Sequence, residues 1–179
     1  MIADLSLSEL KRIRLPLSGE IPTLAEALKQ FPQAKFNLDL KTPMAETIGI
    51  ETIQNLGAQN RVLVSSFSEA SRKRALARAT STLASSAGSS KVLKSYLLAR
   101  SGQSAALSRE LLGIDALQIP TKRYGIDFTH PTFLEQVLQT GVEIHFWTIN
   151  DPATMRELYD LGAHGVVTDR TDLAVKAFS

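Results

Sequence analysis

The sequence predicts an α/β fold of repeated βα units, of the kind that closes into a (β/α)8 barrel. Three observations point there. Short apolar or alternating runs recur with helical segments between them, no Asn-Gly hairpin signal joins consecutive runs, and polar residues collect at the C-terminal ends of the runs. Strict βα alternation implies a parallel sheet with right-handed crossovers, which leaves an open doubly wound sheet or a barrel. An open sheet concentrates its functional residues at one switch point, whereas a barrel draws them from many strand ends. Here Asp39, Lys41, Ser65, Ser66, Ser85, Gln118, Trp147, Asn150, Thr168 and Asp169 are spread over all the strand ends, and no Gly-rich phosphate loop is present. A barrel is preferred, with six βα units, two short of closure.

The elements follow in order. Ser6-Leu-Ser-Glu9 and Thr23-Leu-Ala-Glu26 have capping-box spacing and open two helices, the second stopped by Pro32. Residues 15–21, with Pro16 and Gly19, read as loop. Residues 36–41 form the first strand: period-two alternation puts Asn37, Asp39 and Lys41 on one face and Leu38 and Leu40 on the other. A carboxylate and an ammonium thus share the polar face near the strand's end. A helix follows over residues 43–56, closed by Gly57. Residues 61–67 are a second strand, Ser68 caps a helix over residues 69–78, and residues 81–85 are a weak third strand. Helices over residues 91–100 and 105–112 precede a fourth strand at residues 116–120, cut by its proline. Pro131 starts a helix that Gly141 ends. Residues 142–150 are the most strand-like run, followed by a helix from Asp151-Pro152 to Leu161. Residues 165–169 and 172–178 are the last strand and helix.

The 179 residues are 44% hydrophobic and 21% charged, as in a globular chain with a real core. A net charge of +2 is too small to argue for nucleic acid, and Arg72-Lys73-Arg74 reads as the solvated face of a helix. The absence of cysteine excludes disulfides and thiolate metal sites and favours a reducing, cytoplasmic setting. No apolar run reaches the ~18–20 residues of a membrane span, and the first residues lack the features of a signal peptide.

Five pieces occur in a familiar order: Ile21-Pro-Thr-Leu-Ala-Glu26, Asn37-Leu-Asp-Leu-Lys41, Ser65-Ser-Phe67, Trp147-Thr-Ile-Asn150 and Gly165-Val-Val-Thr-Asp169. In this ordered set, from about Asp4 to the C-terminus, the chain resembles the glycerophosphodiester phosphodiesterases, metal-dependent barrels of the TIM type. The resemblance implies that the six strands are the third to eighth of the barrel, and that residues 1–179 are a partial, N-terminally truncated barrel domain. The family's two catalytic histidines and two of its metal carboxylates belong to the first two strands. His130, His145 and His164 match none of them.

By this resemblance Asp39 is a metal ligand, standing where the family usually has Glu, for a divalent cation, magnesium or calcium, that prefers hard oxygens. Lys41 lies beside the substrate phosphate, Trp147 walls the glycerol or leaving alcohol, and Ser66 and Phe67 form the rim. The bland readings stay open: a strand-end Asp capping a loop and paired with Lys41, a core Trp, and a hydroxyl capping the next helix. His145 reads as a structural histidine, His130 as an exposed loop residue, and Asn150 as the cap of the helix at Asp151.

The implied substrate is a small-molecule glycerophosphodiester, hydrolysed to glycerol 3-phosphate and an alcohol, with this chain inactive because it carries no acid–base pair. Two alternatives remain, a non-catalytic partial barrel that binds a phosphate ester or a protein partner, and an unrelated barrel enzyme without metal. The end strands of a six-stranded parallel sheet are unpaired, so the chain is expected to aggregate or to form an edge-to-edge homodimer.

Overall fold

The computed structural model describes residues 4–15 and 19–179. Six parallel strands carry the fold: β1 (Phe36–Asp39), β2 (Val62–Ser65), β3 (Ala84–Ser85), β4 (Ala116–Ile119), β7 (Glu143–Phe146) and β8 (Gly165–Val166). Between β4 and β7 lies an antiparallel hairpin, β5 (Lys122–Arg123) and β6 (Ile126–Asp127). Strands β1, β2 and β3 pair in that order, as do β4, β7 and β8. A parallel bridge from Ser86 to Ala116 joins the two sets, with Asp115 N donating to Ser85 O and Ala87 N to Ala116 O, both at 3.0 Å. The six strands therefore form one parallel ladder in chain order, with β1 and β8 at its ends.

Each strand is flanked by helices because the sequence starts them well. Helix α1 (Leu7–Leu10) and α2 (Leu24–Gln30) both begin with the reciprocal capping box expected from Ser6–Glu9 and Thr23–Glu26. Thr42 caps α3 (Pro43–Asn55), Ser68 caps α4 (Glu69–Leu76) and Asp151 caps α8 (Pro152–Asp160), each accepting from a first-turn amide. The remaining helices are α5 (Ser89–Arg100), α6 (Ser104–Glu110), α7 (Pro131–Leu138) and α9 (Thr171–Phe178). The Pro16 part of the predicted loop lies outside the described residues.

Parallel register fixes the two faces of the ladder. Leu38 pairs with Val64 and Asp39 with Ser65; Leu117 pairs with Ile144 and Gln118 with His145. Val64, Leu117, Ile119, Ile144 and Phe146 are almost fully buried and face the helices. They pack against Ile50 and Ile53 of α3 in one cluster and against Phe133, Val137, Met155 and Leu158 of α7 and α8 in the other. Burying such side chains stabilises by roughly 1.5–3 kcal/mol each. Asn37, Asp39, Ser65, Ser86, Gln118 and His145 lie on the opposite face.

Three expectations are corrected. The hairpin β5–β6 was not legible: its turn is Tyr124-Gly125, both at positive φ (51° and 78°), the two-residue geometry usually signalled by Asn-Gly. Arg72-Lys73-Arg74 is a solvated face only in part: Lys73 and Arg74 are exposed, but Arg72 is buried. Arg72 is 5% exposed, pairs with Glu69 at 2.6 Å and donates to Ser85 Oγ at 2.9 Å, while Arg74 reaches the buried Glu46 at 2.7 Å. A one-letter scan sees only charge; burial selects two of the three for buried partners. Finally, His130 is half-buried, and its Nδ1 caps α7 by accepting from Thr132 N at 3.2 Å.

These pairs set an acid limit. The Arg74 guanidinium and the Ser71 hydroxyl hold Glu46 below its ordinary 4.5. Burial pushes Glu69 up, but Arg72 and the Gly88 amide outweigh it and leave it lowered. Burial likewise opposes, and Lys94 and Lys91 overcome, the shift of Glu110, also lowered. A depressed folded pKa contributes stability that is complete above the unfolded value and is lost as pH falls through the folded one. The urea midpoint is expected to be flat from about pH 7 to about pH 5.5 and to fall steadily below about pH 4.5. A midpoint unchanged down to about pH 3 would contradict these assignments.

Candidate functional site

A cleft of about 640 Å³ opens at the C-terminal ends of the parallel strands. Asn37, Asp39 and Lys41 come to it from β1, Ser65, Ser66 and Phe67 from β2, Ser86 from β3, Gln118 from β4, and Trp147 from β7; Arg123 and Tyr124 enter from the hairpin. Every residue singled out by the resemblance lines this one cleft.

Their interactions form a chain around the mouth. Lys41 Nζ is ion-paired with Asp39 Oδ2 and sits over the Phe67 ring, 4.7 Å from its centroid. Phe67 meets Trp147 edge to face, with centroids 5.8 Å apart. The Arg123 guanidinium lies over Trp147 at 6.0 Å and over Tyr124 at 5.0 Å. Phe67 is half-exposed, so these rings are a wall of the cleft and not part of the core. Ser66 lines the cleft from a buried position: its hydroxyl donates to Leu40 O at 3.0 Å while accepting from Ser68 N at 3.3 Å. It ties the tip of β1 to the start of α4. Ser65 Oγ donates to Asn37 Oδ1 at 3.3 Å, across the same two strands.

Asn150 does not cap α8, because Asp151 does so itself, accepting from Thr154 N at 2.8 Å. Asn150 instead joins the ends of β7 and β8: its Oδ1 accepts from Thr168 Oγ1 and Asp169 N, both at 2.9 Å. His145 bonds Glu143 Oε2 at 2.9 Å and Gln118 at 3.5 Å on the inward face, and His164 Nδ1 accepts from Ile144 N at 3.2 Å. None of the three histidines lines the cleft.

Asp39 is the one carboxylate among the cleft-lining residues. Among the described residues no group of three or more histidines and carboxylates is placed to hold a metal ion. A hard cation takes six or more oxygens, several of them anionic, so these residues alone do not make a cation site. Asp39 offers one ligand at most.

Reasoning from sequence missed Ser86, Arg123 and Tyr124. The signal available was a basic-aromatic run, Lys122-Arg123-Tyr124-Gly125, directly after a strand end. Gly88 is a further positioning element. It is the N-cap of α5, its amide donates to Glu69 Oε2 at 3.0 Å, and a Cβ there would lie 2.6 Å from Glu69 N. This close approach sets α5 beside the cleft.

Among solved structures, a putative glycerophosphodiester phosphodiesterase from Galdieria sulphuraria aligns over 99% of this chain and 72% of its own, with 17% identity and a TM-score of 0.72. An Oleispira antarctica phosphodiesterase in complex with the product sn-glycerol-3-phosphate aligns over 99% and 72%, with 22% identity and a TM-score of 0.69. They share the fold. The "Probable glycerophosphodiester phosphodiesterase 2" of Mycobacterium tuberculosis (strain ATCC 25618 / H37Rv) is 35% identical over 166 residues, 92% of this chain and 62% of its own length. The chain thus spans less than two thirds of that relative.

If Gly88 sets α5 as described, Gly88→Ala will lower stability by about 1–3 kcal/mol in urea titrations, with Glu69 forced off its amide. An unaffected midpoint would contradict the contact. The Glycerophosphoryl diester phosphodiesterase family model matches residues 1–173, and with the shared fold and the cleft at the strand ends it shows that this chain belongs to that family.

Proposed function

We propose that this chain supplies the phosphate- and alcohol-binding side of a glycerophosphodiester phosphodiesterase site and does not turn over substrate by itself. We read its six parallel strands as the third to eighth strands of a (β/α)8 barrel. In support, the ladder runs in chain order and neither β1 nor β8 has a second partner among the described residues. The observation that carries the reading is the shared cleft of Asp39, Lys41, Phe67 and Trp147 at the strand C-termini.

In this reading the Lys41 ammonium takes a phosphoryl oxygen and exchanges its Asp39 partner for the substrate. Trp147 and Phe67 hold the glycerol or the leaving alcohol against an apolar wall and exclude water from that side. Asp39, once released from Lys41, would supply one oxygen ligand to a divalent cation, magnesium or calcium, whose remaining ligands are not among the cleft-lining residues. Such a cation would offset charge on the phosphoryl oxygens. General acid and base must come from elsewhere, since His145 and His164 bond other groups and none of the three histidines reaches the cleft.

The open ends of the ladder favour a second reading, in which two copies pair edge to edge in solution. Nothing in β1 protects its edge, as it holds neither proline nor glycine.

Two measurements test these readings. The chain is expected not to hydrolyse glycerophosphocholine with added magnesium or calcium, yet to bind sn-glycerol-3-phosphate with a change in Trp147 fluorescence; Lys41→Ala is expected to weaken that binding about tenfold. Turnover that is lost in Asp39→Ala, or binding indifferent to Lys41→Ala, would overturn the first reading. Size-exclusion chromatography is expected to show a dimer or larger species, and a stable, well-folded monomer would overturn the second.

A further inference from the structure

Among the described residues, two groups in the cleft are incompletely satisfied: a hydroxyl without a hydrogen bond and a guanidinium without a carboxylate. Ser86 is 1% exposed, lines the cleft on the inward face of the ladder, and its Oγ has no hydrogen-bond partner. A buried hydroxyl left unpaired costs about 1–3 kcal/mol, so its retention in a cleft wall points to a ligand that satisfies it. Its neighbour Ser85 shows the contrast: that hydroxyl, on the helix side, is met by Arg72 at 2.9 Å.

Arg123 is the second. Asp127, the carboxylate of its own hairpin, is engaged by Lys122 at 3.7 Å and by Thr129 at 2.6 Å. Beyond a 3.4 Å contact to the Tyr124 hydroxyl, the Arg123 guanidinium meets only ring faces. The other cation of the cleft, Lys41, is already neutralised by Asp39. The charge not balanced within the cleft is therefore positive and sits on the hairpin wall.

We propose that Ser86 and Arg123 form a subsite for the leaving alcohol, which selects a polyol carrying an anionic group over a quaternary ammonium. The proposal rests on the reading that the phosphodiester lies at Lys41. The Ser86 hydroxyl meets a hydroxyl of the polyol, and Arg123 presents a planar guanidinium to its anionic group. A quaternary ammonium would need open aromatic faces, but Lys41 covers Phe67 while Arg123 covers Tyr124 and Trp147. It would enter against the unbalanced charge of Arg123.

The test is calorimetric binding of glycerophosphoglycerol phosphate and glycerophosphocholine to this chain. The wild type is expected to bind the first about tenfold more tightly. Arg123→Gln, an exposed hairpin change, should bring the two within about twofold of each other, and Ser86→Ala should weaken the polyol probe about three- to fivefold. Lys41→Ala should weaken both probes. A ratio unchanged in Arg123→Gln together with full affinity in Ser86→Ala would overturn the subsite and leave the phosphate reading standing. Indifference of both probes to Lys41→Ala, or no binding of either, would overturn the phosphate reading and the subsite with it.

Discussion

The parallel register between β1 and β2 is the constraint on which the rest depends. Phe36 pairs with Val62 and Asp39 with Ser65, so a one-residue slip would exchange the faces of the whole edge strand. The slip is blocked by burial: Leu40 is held in the cluster of Ile50, Ile53 and Leu28 with Leu38 packed against it, and turning them out would expose the cluster while burying Asp39 and Asn37. The same hydrophobic contacts that fold the chain therefore aim its carboxylate and its lysine at the cleft.

Beyond register, the tip of β1 is fixed by hydrogen bonds that the sequence hides in serines. Ser66 binds the carbonyl of Leu40, and Ser65 reaches Asn37, so two adjacent hydroxyls clamp the strand just before Lys41. Lys41 then has a short path to Phe67 and, through it, to Trp147. A similar clamp closes the far side, where Asn150 joins the ends of β7 and β8. The cleft is bounded by strand ends that are tied to one another and not by free loops, which favours a preformed site.

What was legible in the sequence is what is periodic or capped. The alternation around Asp39, the two capping boxes and the prolines at helix starts each carry a local physical signal, and each element they announced is present. The hairpin was illegible because two-residue strands have no period and Tyr124-Gly125 is an uncommon spelling of its turn. Arg72 was misread, and the partner of the exposed Arg74 missed, because pairing depends on Glu69 and Glu46, and Glu46 lies on another helix that only the fold brings close. Trp147 was placed at a strand end by pattern, but its role and that of Phe67 came from the family resemblance; their contact across 80 residues of chain has no signature in either strand.

Above all, Asp39 and Lys41 point into the mouth of the parallel ladder. Proton nuclear Overhauser spectroscopy of the chain tests this most directly. Cross-peaks are expected from the Lys41 side chain to the Phe67 ring and from Phe67 to the Trp147 indole, as their 4.7 Å and 5.8 Å separations require. Cross-peaks from Lys41 to the apolar side chains of α3, with none to either ring, would contradict it.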